Sequence, residues 1–113
     1  MHLTPSVLKA SYEYLKACPP FSRWGLPDGD STEWHVINKK DIDGFCTEFK
    51  KGAYRIEINA NKIKATETLM ATMAHEMVHI RLFMQEVKAL HGYEFKRLAK
   101  MVCKEHGFRE ELF

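Results

Sequence analysis

His75-Glu76-Met77-Val78-His79 is the stretch of this chain best equipped for chemistry. On a helix, histidines four apart are separated by about 6 Å along the axis and leave the same face, where two neutral imidazoles can grip one metal ion. Glu76 is turned by about 100° from His75, too far round to be a third ligand from the same turn but within reach of a water on that ion. Hydrolysis suits this division: an ion acidifies water and a carboxylate takes its proton. A chain of this length and composition would show the pattern by chance ~0.03 times, so its surroundings decide what it is worth.

The histidines need a helix, and Thr66–Met84 reads as one. On a wheel, Leu69, Met70, Met73, Met77, Ile80 and Met84 form an apolar face opposite the imidazoles. The histidine side carries Thr68, Thr72, Leu82 and Glu86, with Ala71 and Val78 flanking it. A helix so poor in charge on its second side should be covered twice: by a sheet over the methionines and by a later element over the histidines.

That later element is a second helix, with Phe95, Leu98, Ala99, Val102 and Cys103 at three-four spacing and a stop at His106-Gly107. Residues 85–90 connect the two. Upstream, Thr4 and Pro5 supply a helix cap and first position, Leu3 and Leu8 a staple, and Leu8, Tyr12 and Leu15 a buried stripe that ends at Cys18-Pro19-Pro20. Residues 21–30 are loop, pinned by Phe21 and Trp24 as packing residues. Strands are expected at 33–38, Gly44–Lys50 and Ala53–Asn59. The last is the clearest, since Tyr54, Ile56 and Ile58 alternate with Arg55, Glu57 and Asn59. Lys50-Lys51-Gly52 lies between the last two strands, which are expected to form an antiparallel hairpin. The fold class is α+β, with an N-terminal helix, a small three-stranded antiparallel or mixed sheet, the histidine helix and a C-terminal covering helix.

With 113 residues, the chain is expected to be a single domain spanning 1–113. A formal charge of +2, from 17 basic and 15 acidic residues, makes no electrostatic case for nucleic acid or acidic membrane. No signal segment and no membrane-length apolar run is present, so a soluble, cytoplasmic protein is expected. Cys18, Cys46 and Cys103 are odd in number, dispersed and without a C-x-x-C pair, which points to reduced thiols in or near the core.

A catalytic zinc takes three protein ligands and leaves a fourth position open. Gln85 stands where metzincins place a third histidine, and Leu82 where they place glycine, so that pattern is absent. Glu86 lies about two turns, or ~10 Å, beyond His79 on a continuing helix and is too far. His91, at the start of the covering helix, and Glu94, a turn later, are the remaining candidates, and imidazole matches the other two ligands.

H-E-x-x-H followed twelve residues later by His91-Gly92-Tyr93-Glu94-Phe95 resembles the SprT-like zinc metallopeptidases, relatives of the Spartan proteases that degrade proteins crosslinked to DNA. The resemblance covers residues 53–107. It implies a zincin-like core, one Zn2+ ion, and a third ligand from an H-G-x-x-F/W segment, here His91. It also implies a protein or peptide substrate and raises DNA as a partner. The chain lacks the zinc ribbon of typical bacterial members, having only Cys103 after the histidine helix, and the Spartan kind of DNA-binding extension. Such a short core would suit a stand-alone version carried by a phage or mobile element and acting in the host cytoplasm.

The expected mechanism has Glu76 as general base towards the zinc-activated water and as proton carrier to the leaving amine. Tyr93, Tyr54, Arg97 and His106 are the candidates for oxyanion stabilisation or substrate contact. An extended substrate would lie along a free sheet edge. Two other readings compete. One is a peptide deformylase, whose upstream E-G-C ligand segment is poorly imitated by Asp43-Gly44-Phe45-Cys46. The other is a non-catalytic domain in which zinc only staples helices while the chain binds nucleic acid or a protein.

Overall fold

The computed structural model describes residues 2–113. Helix α1 (Pro5–Lys16) begins where its cap residues require: the Thr4 hydroxyl accepts from the Val7 amide at 3.2 Å, and Pro5 occupies the first turn. Leu8, Tyr12 and Leu15 are buried, as is Leu3 ahead of the cap. The following loop holds to the body through buried Phe21, Trp24 and Leu26, with the Phe21 and Trp24 rings edge to face at 5.0 Å.

Three strands follow, β1 (Glu33–Ile37), β2 (Gly44–Lys50) and β3 (Ala53–Asn59), in spatial order β1-β3-β2. The β2–β3 pair is antiparallel, and its turn uses Gly52 at φ +80°. Between Glu48 and Lys50 the register slips, leaving Phe49 as the extra residue of a bulge. β1 pairs with β3 in parallel, Trp34 opposite Ile56 and Val36 opposite Ile58, so the sheet is mixed. β3 is central and β2 keeps one edge free of any strand.

Tyr54, Ile56 and Ile58 turn into the core, as their alternation requires. Asn59 departs from it: expected on the polar side, it is fully buried. Its Nδ2 donates to the carbonyls of Lys39 and Ile42 at 2.5 and 2.6 Å, and its Oδ1 accepts from the Asn61 amide at 3.1 Å. A buried amide with those partners has its polar groups satisfied, and it pins residues 38–43 beside the sheet.

Helix α2 (Thr66–Met84) is buried on nearly every side. It packs on α1, β2, β3 and the last helix, α3 (Tyr93–His106). Met73, Met77 and Ile80 are fully enclosed, while Met84 at the helix end is exposed. The sheet meets α2 along the Glu76 and Phe83 side, where Gly44 approaches the Glu76 carboxylate and the Phe83 ring lies 6.0 Å from Tyr54. α2 stops after Met84, and Glu86 adopts a left-handed φ of +58° that turns the chain away. α3 buries Phe95, Leu98, Val102 and Cys103 and ends on Gly107 at φ +72°. Among the described residues, no helix is long and apolar enough to cross a membrane. Cys18, Cys46 and Cys103 are free thiols, Cys103 buried and the other two half-buried.

Candidate metal centre

α2 carries His75 and His79 on one face, and the connector from α2 to α3 brings His91 over them. The three Nε2 atoms converge: His79 to His91 is 3.1 Å, His79 to His75 3.3 Å, and His91 to His75 3.4 Å. A tetrahedral ion with bonds of 2.0–2.1 Å separates its ligand nitrogens by about 3.3 Å, so this triangle fits one face of such a tetrahedron. The three imidazoles are the cluster in the described residues placed to hold a metal ion. Glu94 is outside it, its carboxylate held by Arg97 at 3.0 and 3.1 Å, and Glu86 reaches Lys51 instead.

The surroundings of His75 and His79 favour the neutral imidazole, the form that ligates. Burial lowers the proton affinity of His79 to a pKa of about 4, aided by His75 and His91. Burial also lowers His75, against the opposing pull of the Phe113 main-chain oxygen. That oxygen accepts from Nδ1–H of His75 at 2.5 Å, which leaves Nε2 of the same ring free. Phe95 packs against all three imidazoles, with ring centroids 4.8 Å from His75 and His91 and 4.9 Å from His79. It is the aromatic residue of the H-G-x-x-F segment, and the core side of α3 places it there.

Glu76 faces β2. Its side chain is 4 % exposed, and burial pushes its carboxyl up to about 8, with the Asp43 charge adding to the effect. A cavity of about 260 Å³ opens beside it, bounded by Asp43, Gly44, Thr72, His75, His91 and Phe113. A second space of about 120 Å³ continues past Phe45, Cys46, His79 and Leu90. Gly44 lets the strand come this close: a Cβ there would sit 3.1 Å from Glu76 Oε2 and 3.0 Å from the Glu57 carbonyl oxygen. The arrangement is three imidazole nitrogens placed so that they could hold one ion, with a buried carboxylate beside them and open space in front.

The four candidate oxyanion or substrate residues line neither cavity. Tyr54 is buried against Phe83, where burial and its bond to Glu48 push the phenol up to about 12. The His106 Nε2–H donates to the Pro19 carbonyl at 2.8 Å, and its ring stacks on Phe108. Arg97 is spent on Glu94. Tyr93 stands 79 % exposed on the rim of a neighbouring groove that shares Phe95 and Phe113 with the metal side. Sequence reasoning missed Asp43 and Gly44 as site residues and Phe113 as a histidine partner. Asp43-Gly44 ahead of a strand was the available signal for the first two, and nothing local marked Phe113.

Searches of curated proteins and of solved structures returned no match. A family model does match, over residues 22–111, which takes in the sheet, both histidine-bearing segments and the covering helix, and the chain therefore belongs to the SprT-like family.

Proposed function

We propose that this chain is a zinc-dependent endopeptidase that hydrolyses extended or unfolded protein segments. The observation that carries the reading is the Nε2 triangle of His75, His79 and His91 next to buried Glu76, with a cavity in front of both. Three protein donors with no fourth among the described residues is the pattern of a catalytic zinc site, whereas a structural site closes all four positions. Cys46 lies near but outside the cluster, which weighs against the deformylase arrangement.

Zinc held by the three histidines would supply an acidified water and a positive charge for the scissile carbonyl. The chain's own groups do the rest. Glu76, with a carboxyl that burial makes more basic, takes a proton and delivers it to the leaving nitrogen. The free edge of β2 offers main-chain N–H and C=O groups to an extended peptide, a sequence-tolerant way of binding. Gly44 brings that edge against Glu76, so a peptide paired there passes the carboxylate. Of the four candidate stabilisers, Tyr93 stands exposed on the rim of the groove next to the metal side, from which its phenol would reach a bound substrate; Tyr93→Phe should lower kcat by about 10-fold or more with KM nearly unchanged, and an unchanged kcat removes it from the mechanism.

The deciding experiment compares wild type and Glu76→Gln, both zinc-loaded, on a disordered protein, with and without single-stranded DNA. Wild type should cut and the variant should retain zinc and fold without cutting. Equal cleavage by both would assign the activity elsewhere, and no cleavage by either would favour a zinc-stapled binding domain.

A further inference from the structure

The chain after α3 folds back onto the metal centre. Arg109 anchors it, donating from Nε and Nη2 to the two carboxylate oxygens of Glu67 in the first turn of α2 at 3.3 and 3.2 Å. The short 3-10 turn Glu110–Leu112 then packs on α2. Phe113 follows, its ring 5.4 Å from His75 and 6.1 Å from Phe95, and its main-chain oxygen at Nδ1 of His75.

Packing of the Phe113 ring against the core accounts for its side chain but not for its main-chain oxygen at Nδ1 of His75. Residues 109–111 are exposed and Phe113 is half-buried. A neutral imidazole carries one proton on either nitrogen. With that proton on Nε2, His75 would point an N–H at His79 and His91 and could not ligate. An acceptor fixed at Nδ1 removes the alternative. Among the described residues, His75 alone of the three histidines has such a partner on its second nitrogen.

We propose that residues 109–113 are a positioning element of the candidate metal centre: their fold-back places the Phe113 main-chain oxygen to hold His75 as the Nδ1–H tautomer with Nε2 turned to the ion. The proposal rests on the three histidines being a metal site. It assigns a role to main chain rather than to a side chain, and to a segment outside both histidine helices.

Two measurements test it: zinc affinity by competition with a chromophoric chelator, and the tautomer of His75 in the metal-free protein from imidazole 15N NMR. Wild type should show His75 as Nδ1–H. A chain ended after Phe108 should bind zinc about 10- to 100-fold more weakly and show His75 as a tautomer mixture. Arg109→Gln, which leaves the core untouched, should move both readouts in the same direction by less, and it decides the matter if the shortened chain does not fold. Phe113→Ala keeps the main-chain oxygen and should keep the tautomer. The proposal is overturned by an Nε2–H His75 in wild type. It is equally overturned if the folded shortened chain keeps zinc affinity within about twofold, or if Arg109→Gln leaves both readouts unmoved where the shortened chain does not fold. A wild type that takes up no zinc would refute the metal-site reading, and the tautomer would then decide the positioning role alone.

Discussion

Replacing Glu76 by Gln should change how the stability of the metal-free protein depends on pH. Glu76 is 4 % exposed, and burial raises its pKa from 4.5 to about 8, with the Asp43 charge adding to the effect. Between those two values the folded protein keeps a proton that the unfolded chain has lost. Stability is therefore complete below the unfolded value and is lost as pH rises through the folded one. Linkage over the whole interval amounts to about 5 kcal/mol, of which about 3 kcal/mol has gone by pH 7. Glutamine has nearly the same shape and cannot ionise, so the variant should gain on wild type by that amount between about pH 5 and pH 7. His75 and His79, lowered by burial, act with the opposite sign: the unfolded chain protonates them first as pH falls below 6.5, and stability is lost down towards their folded values. Both proteins carry those histidines, so the difference between them isolates Glu76. Urea unfolding in excess chelator at several pH values gives it directly. A difference that stays flat within about 0.5 kcal/mol across the interval would mean a normally solvated carboxylate and would refute the reasoning.

Other substitutions test the geometry. His91→Ala should weaken zinc binding by more than the about 10- to 100-fold that loss of an outer partner gives, while Glu94→Ala should leave metal content unchanged in purified protein. Gly44→Ala places a methyl 3.0 Å from the Glu57 carbonyl and 3.1 Å from Glu76 Oε2; it should cost about 1–3 kcal/mol in thermal unfolding and about 10- to 100-fold in kcat by displacing the carboxylate. Asn59→Ala removes the buried amide that donates to the Lys39 and Ile42 carbonyls; a loss of about 1–3 kcal/mol, with faster hydrogen exchange in residues 38–43, is the expected result.

The site was legible where its geometry is local. Helical periodicity alone aligns His75 with His79, and the buried spacing of α3 fixes which element can lie over them. The β2–β3 hairpin was legible for the same reason, because Gly52 and the alternation in β3 are neighbours in sequence. The pairing of β1 with β3 was not, since parallel strands are joined through a long excursion and carry no turn signal. Asn59 misled because alternation encodes which face a residue takes but not whether a loop will close over that face. Asp43 and Phe113 act on residues more than thirty positions away, and only the folded chain sets them beside the histidines.

The hairpin bulge has a further consequence. A bare strand edge bearing exposed Phe45 and Phe49 invites a second copy of the chain to add itself and aggregate. Here the extra residue at Phe49 breaks the ladder, Lys50 and Lys51 crowd its end with charge, and the Arg55 guanidinium lies 5.4 Å from the centre of the Phe49 ring. The far half of the edge is thereby blunted against self-association, and the half beside Glu76 is left able to accept a partner strand. Under the proposed peptidase function, the same irregularity would confine peptide pairing to the stretch from Gly44 to Glu48, beside the Glu76 carboxylate.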